Sequence, residues 1–137
     1  MAFKSTGSDV SSSFITAAAA DPDGVSTAAA VGNNAALTLG GALASGGSVT
    51  FDSPRNVTIL SGGDDSAISF TVAGTDESGT AATESITGAD TGTATGTKFF
   101  ATITSITAVG DPAGNVSAGS GTSIAGVISA SRCRLRG

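Results

Sequence analysis

The side chains able to do chemistry are few: eleven carboxylates, one cysteine and no histidine. Without histidine the chain lacks the commonest general base, the Ser-His and Cys-His nucleophile pairs, and the usual zinc ligand. Cys133 stands between Arg132 and Arg134; their charges favour its thiolate, yet no base accompanies it. The carboxylate pairs Asp64-Asp65 and Asp76-Glu77 are adjacent in sequence. On a strand, neighbours face opposite ways, so neither pair converges on one substrate atom. Both sit among glycine and serine, where such residues are solvated members of turns. Sugar chemistry would also call for aromatic platforms, and Trp and Tyr are absent. Asp21-Pro22-Asp23-Gly24 has the look of a calcium loop, without the later ligands or the closing Glu of an EF-hand. A proline-containing Asx turn accounts for it equally well. Gly92-Thr93-Ala94-Thr95-Gly96-Thr97-Lys98 faintly echoes a phosphate-binding loop, but departs from G-x-x-x-x-G-K-[ST] in spacing and final residue, and no helix follows. No catalytic, cofactor-binding or metal residue is expected, and the chain does not read as an enzyme.

Composition bounds what must position these groups. The 137 residues suffice for one domain. Hydrophobic residues make up 39 %, but the bulky ones are scarce, with six Phe, one Met and 20 Gly. Ordering the backbone costs roughly 1–2 kcal/mol per residue, and glycine loses the most freedom. So thin a core predicts either a partly disordered chain or neighbouring subunits that supply the missing burial, and an oligomer is expected. The net charge is −5, yet Arg132, Arg134 and Arg136 hold three of the six basic residues within the last six positions. The acidic remainder repels phosphates, so no nucleic acid is expected as a partner. No stretch approaches the 18 or so apolar residues of a membrane span, and none follows Lys4 as a secretory signal would. These features predict no membrane partner and synthesis in a cytoplasm. A single cysteine excludes an intramolecular disulfide framework.

Threonine, serine, glycine and valine favour strands and turns over helix. Strand signals recur about every ten residues, the pattern of a sandwich or small barrel. Residues 67–73 are the clearest strand, with Ile68, Phe70 and Val72 on one face. Residues 56–60 precede them across the turn-rich stretch 61–66, which predicts a hairpin, and residues 82–87 continue the meander. In residues 98–103, alternation sets Phe99, Ala101 and Ile103 on one face and Phe100 on the other. Ile106 and Ala108 then fall on the wrong parity, so a one-residue bulge is expected near Thr104 and Ser105. Residues 115–118 predict a short strand, and residues 123–129 a last one closing the sheet. In the first fifty residues, 36–39 and 48–51 read as strands, while the alanine runs 17–20 and 28–30 suit helix, interrupted at Pro22. The expected fold is all-β, an antiparallel β-sandwich or small barrel with an extended N-terminal arm. The boundaries are an arm at 1–13, a single β-domain at 14–131 and a basic tail at 132–137.

Several runs carry a resemblance: Asn34-Ala35-Ala36-Leu37-Thr38-Leu39-Gly40-Gly41, Phe51-Asp52-Ser53-Pro54-Arg55-Asn56-Val57-Thr58, Asp64-Asp65-Ser66-Ala67-Ile68-Ser69-Phe70-Thr71-Val72, Gly96-Thr97-Lys98-Phe99-Phe100 and Ala113-Gly114-Asn115-Val116-Ser117. Together, over about residues 34–119, they resemble small virion proteins of tailed bacteriophages. The resemblance implies a structural role on the virion, as a decoration (cement) protein on the capsid exterior, with the major capsid protein as partner. A neck, tail or fibre component and a carbohydrate-binding or adhesin-like module are the alternatives. Self-association, as a homotrimer, is expected from the thin core and the three-fold positions of an icosahedral shell. The interface residues expected from the termini and from apolar positions of odd parity are Phe3, Lys4, Phe14, Phe100, Arg132, Arg134, Leu135 and Arg136. The alternation of residues 132–136 suits an edge strand docking on an acidic surface; a solvated tail is the competing reading.

Overall fold

The computed structural model describes residues 20–124, and these are all-β. Eight strands follow one another: β1 (Asp21–Ala30), β2 (Ala44–Ser45), β3 (Ser48–Ser61), β4 (Ser69–Thr75), β5 (Ala81–Thr87), β6 (Thr93–Thr95), β7 (Phe100–Val109) and β8 (Asn115–Ile124). They form one antiparallel sheet in the order β1-β8-β3-β7-β4-β5, with β2 and β6 both paired to β3.

The 14-residue β3 organises the sheet. Its first part pairs with β7 at Val49↔Ile103 and Thr50↔Thr102, and the ladder resumes only at Arg55↔Phe100. Pro54 lies in that gap and cannot donate to a ladder, so the strand bends there. Beyond the bend one edge of β3 pairs with β8, from Arg55↔Ile124 to Ser61↔Val116, and the other with β6 at Thr58, Ile59 and Leu60. A strand that changes direction at such an irregularity can serve both layers of a sandwich. One core results, drawn from every long strand: Val25, Val57, Ile59, Val116 and Ala118 pack in the same cluster as Val49, Phe70, Val72, Ile86, Phe100, Ile103 and Ile106. Side chains of the flanking strands β1 and β5 share that cluster only because the sheet folds over on itself. It does not close into a barrel, so the sandwich alternative holds.

Turn chemistry sets the local registers. Gly46 and Gly47 have φ of 64° and 85° and join Ala44↔Val49 and Ser45↔Ser48 as a two-residue hairpin. Positive φ at both central residues gives the twist that flanking strands need. The β4–β5 hairpin runs in unbroken register from Ser69↔Thr87 to Thr75↔Ala81. Opposite β4, the ladder steps from Ala73↔Ser105 to Gly74↔Ile103, leaving Thr104 as an extra residue. That bulge is the one the broken parity calls for, and it lets Ile103 and Ile106 both face the core.

Several expectations are corrected. Residues 56–60 and 67–73 do not form a hairpin, because β7 lies between β3 and β4, and the meander reduces to β4–β5. Residues 28–30 are strand within β1, where pairing with β8 overrides alanine's helical preference. Residues 36–39 contribute one bridge, Ala36↔Thr107, and bury Leu37 and Leu39 without forming a strand. Strand β8 runs on from the expected short strand 115–118 to Ile124; the expected strand at 123–129 lies mostly outside the described residues, as do the arm at 1–13 and the tail at 132–137.

Candidate functional site

Where β6 gives way to β7, both on the same edge of β3, the chain makes a detour. Thr95 pairs with Thr58 and Phe100 with Arg55, so residues 96–99 face only Asn56 and Val57 and must swing outward. The Gly96 N–H bonds the Val57 carbonyl at 2.8 Å, and Asn56 Nδ2 donates to the Gly96 carbonyl at 3.3 Å. Opposite this detour stands β5, the last strand of the sheet. Its Glu84 carboxylate accepts the Thr97 N–H at 2.6 Å, the Lys98 N–H at 3.1 Å and the Thr97 hydroxyl at 3.2 Å. Lys98 Nζ reaches back to the Thr83 carbonyl at 2.8 Å. These contacts pin the free edge of β5 to the strand pair β6–β7. Gly96 permits the approach, since a Cβ there would lie 2.7 Å from Glu84 Oε1 and 2.9 Å from Ile86 Cδ1. The glycine–threonine–lysine run thus does bind an anion through its backbone amides, and the anion is the protein's own Glu84.

Beside this clamp lies an open groove of about 640 Å³, lined by Asp76, Glu77, Ser78, Ala81, Ala82, Thr83, Lys98 and Phe99. Its rim is the β4–β5 turn. Asp76 Oδ1 accepts the Ser78 hydroxyl at 2.6 Å, the Ser78 N–H at 2.9 Å and the Thr80 N–H at 3.0 Å. The Ser78 hydroxyl, then the Thr80 N–H, hold the Asp76 carboxyl below its usual value. Asp64 repeats the device one loop earlier: it accepts the Ser66 hydroxyl at 2.6 Å and the Ser66 N–H at 3.1 Å, and its pKa is lowered by them in that order. Glu77 is exposed and Phe99 half-buried, so the groove offers two carboxylates and one aromatic face beside an ammonium already engaged. Such a surface can hold a cationic or polar ligand. The Ser78 hydroxyl is tied to Asp76 within an exposed Asx turn.

The expected site residues fare unequally. Phe100, expected on the exposed face, is fully buried in the core, and Phe99 faces the groove instead. Strict alternation misassigns them because register breaks fall on both partners of β7, beside Phe100 and at Thr104. Phe3, Lys4, Phe14, Arg132, Arg134, Leu135 and Arg136 lie outside the described residues, as does Cys133. Asp65 is not solvated: it is fully buried, and its Oδ1 accepts the Ala113 N–H at 2.7 Å. Asp64 and Glu77 are the exposed turn residues expected of them, and Asp76 is half-buried within its turn. Among the described residues, no group of three or more Cys, Asp and Glu side chains converges as a metal site would. Glu84 and Phe99 went unnoticed as a site, although Glu84 is the lone carboxylate inside the alternating strand Ala82-Thr83-Glu84-Ser85-Ile86-Thr87. The chain matches no family model, no curated protein and no solved structure.

Proposed function

We propose that this protein is a structural component of a tailed-phage virion, a decoration protein that self-associates and binds the major capsid protein on the capsid exterior. The observation that carries the reading is the unequal treatment of the two outer strands. The edge of β5 is fastened by Glu84 to the Thr97 and Lys98 amides. Among the described residues, strand β1 is covered over its first part alone, where the Gly41 N–H bonds the Val25 carbonyl and the Leu43 N–H bonds the Gly24 carbonyl. Residues 27–30, Thr27-Ala28-Ala29-Ala30, are all exposed and carry neither charge nor proline. Edge strands of stand-alone domains are usually protected by charge, proline or covering loops. An edge of small, uncharged residues suits strand addition by a neighbouring chain, which is how a thin-cored subunit would gain burial in an assembly.

Two measurements test this. Light scattering on the purified protein, alone and with purified phage shells, should give a trimer that binds shells at high copy number. Ala28→Lys and Ala30→Lys should weaken that association and leave the fold, read by circular dichroism, intact. A folded monomer that ignores shells overturns the proposal, and low-copy binding at the neck or tail would move the protein elsewhere on the virion.

A further inference from the structure

We infer that the groove between the β4–β5 turn and Phe99 is the docking site for this chain's own arginine-bearing segment, residues 132–136. The inference is independent of whether the protein sits on a capsid. Charge is the first ground. Residues 20–124 hold ten acidic and two basic side chains, and Arg55, one of the two, is buried. Arg132, Arg134 and Arg136 alternate with Cys133 and Leu135, so an extended segment sets three guanidiniums on one face. The groove presents the Asp76 and Glu77 carboxylates and the half-buried ring of Phe99. Guanidinium pairs with the first two and stacks on the third. Lys98 also lines the groove, its ammonium bonded to the Thr83 carbonyl, and the Asp76 and Glu77 carboxylates outnumber it.

The position of Ile124, the last described residue, is the second ground. Ile124 pairs with Arg55, and Arg55 pairs on its other side with Phe100. Ile124 is therefore two strand spacings, about 10 Å, from the residue next to Phe99. From Ile124 to Arg132 an extended chain spans up to about 26 Å, ample for that distance. Asp21 (paired with Ser120), Asp23 and Asp52 (three residues before Arg55) also stand near the Ile124 end. A further acidic surface, made by Asp64, Asp90 and Asp111, lies at the opposite end of β8. There Asp64 bridges Asp90, and Asp65 holds the Ala113 amide two residues before Asn115. A strand of ten residues puts that end about 30 Å from Ile124. Reach disfavours the far surface, and Phe99, the one phenylalanine among the described residues that is not buried, distinguishes the groove from Asp21, Asp23 and Asp52. A tether this short keeps the local concentration of the arginines high.

The test compares the full chain with a full-length variant carrying Arg132→Ser, Arg134→Ser and Arg136→Ser. Backbone amide resonances of residues 76–83 and 98–99 should differ between the two, independently of protein concentration. A synthetic peptide of residues 131–137, with serine in place of Cys133, should restore the native shifts when added to the variant. Glu77→Lys in the variant should weaken the peptide at least fivefold, and Asp111→Asn should leave its affinity unchanged. Glu77 is exposed on a turn, so its replacement does not threaten the fold. Shifts confined to Asp21, Asp23 and Asp52 or to Asp64, Asp90 and Asp111, or no shifts at all, would overturn the inference. Shifts that grow with protein concentration would also overturn it, by assigning the groove to the segment of a second copy.

Discussion

Replacing Glu84 with alanine removes the clamp and leaves the core untouched. Three hydrogen bonds disappear, to Thr97 N at 2.6 Å, Thr97 Oγ1 at 3.2 Å and Lys98 N at 3.1 Å. A hydrogen bond to a charged group contributes about 1.5–3 kcal/mol, and here only the shortest is close to ideal. Thr97 and Lys98 are exposed, so water takes over their amides once the carboxylate is gone. The expected net loss is about 2 kcal/mol, well below the sum of three full bonds. Glu84→Gln keeps the shape and one acceptor oxygen, and should lose about 1 kcal/mol. With a slope of about 2 kcal/mol per molar urea, the midpoint falls by about 1 M for alanine and half that for glutamine. Hydrogen exchange localises the effect: the Thr97 and Lys98 amides should lose protection in Glu84→Ala, while those of β4 keep theirs. Two results would refute the reasoning. One is an alanine variant as stable as the parent; the other is faster exchange across β4 as well, which would make Glu84 part of the global fold and not a local fastener.

Three further outcomes are expected. Phe100→Ala should cost about 3–5 kcal/mol in urea unfolding because the ring is fully buried, whereas Phe99→Ala, at the groove, should cost about 1 kcal/mol or less. Asp64 and Asp76 have folded pKa values below the ordinary 3.8, so their contribution to stability is complete above that value and is lost as pH falls through the folded pKa. Urea midpoints measured between pH 5 and pH 2 should therefore decline less steeply in an Asp64→Asn, Asp76→Asn double variant. Gly74→Ala should prevent normal folding, since a Cβ at this position collides with the Thr102 carbonyl oxygen across the bulge, and soluble yield and circular dichroism would show it.

Local features of this chain were legible where one residue's chemistry decides the matter. Gly46-Gly47 can hardly be other than a turn, and Asp76 with Ser78 builds an Asx turn from side chains two residues apart. The alternation of Phe70 and Val72 marks β4, and the parity break before Ile106 marks the Thr104 bulge. The site was less legible. Glu84 and Lys98 are 14 residues apart and meet only because residues 96–99 leave the edge of β3. Phe99 and Phe100 are chemically identical, and the register break beside Phe100 decides which of them enters the core.

By itself, then, the sequence determined the β class, the turns, the absence of histidine chemistry and the separation of three arginines from an acidic body. Each of these depends on residue type or on spacing within a few positions. Strand order, the bend of β3 at Pro54, the insertion of β7 between β3 and β4, and the Glu84 clamp were decided only in the tertiary structure. Antiparallel strands of similar composition can pair in many orders with nearly equal local energy. The choice among them rests on which arrangement lets Phe70, Phe100, Ile59 and Ile106 bury one another, a condition that no single stretch of the chain contains.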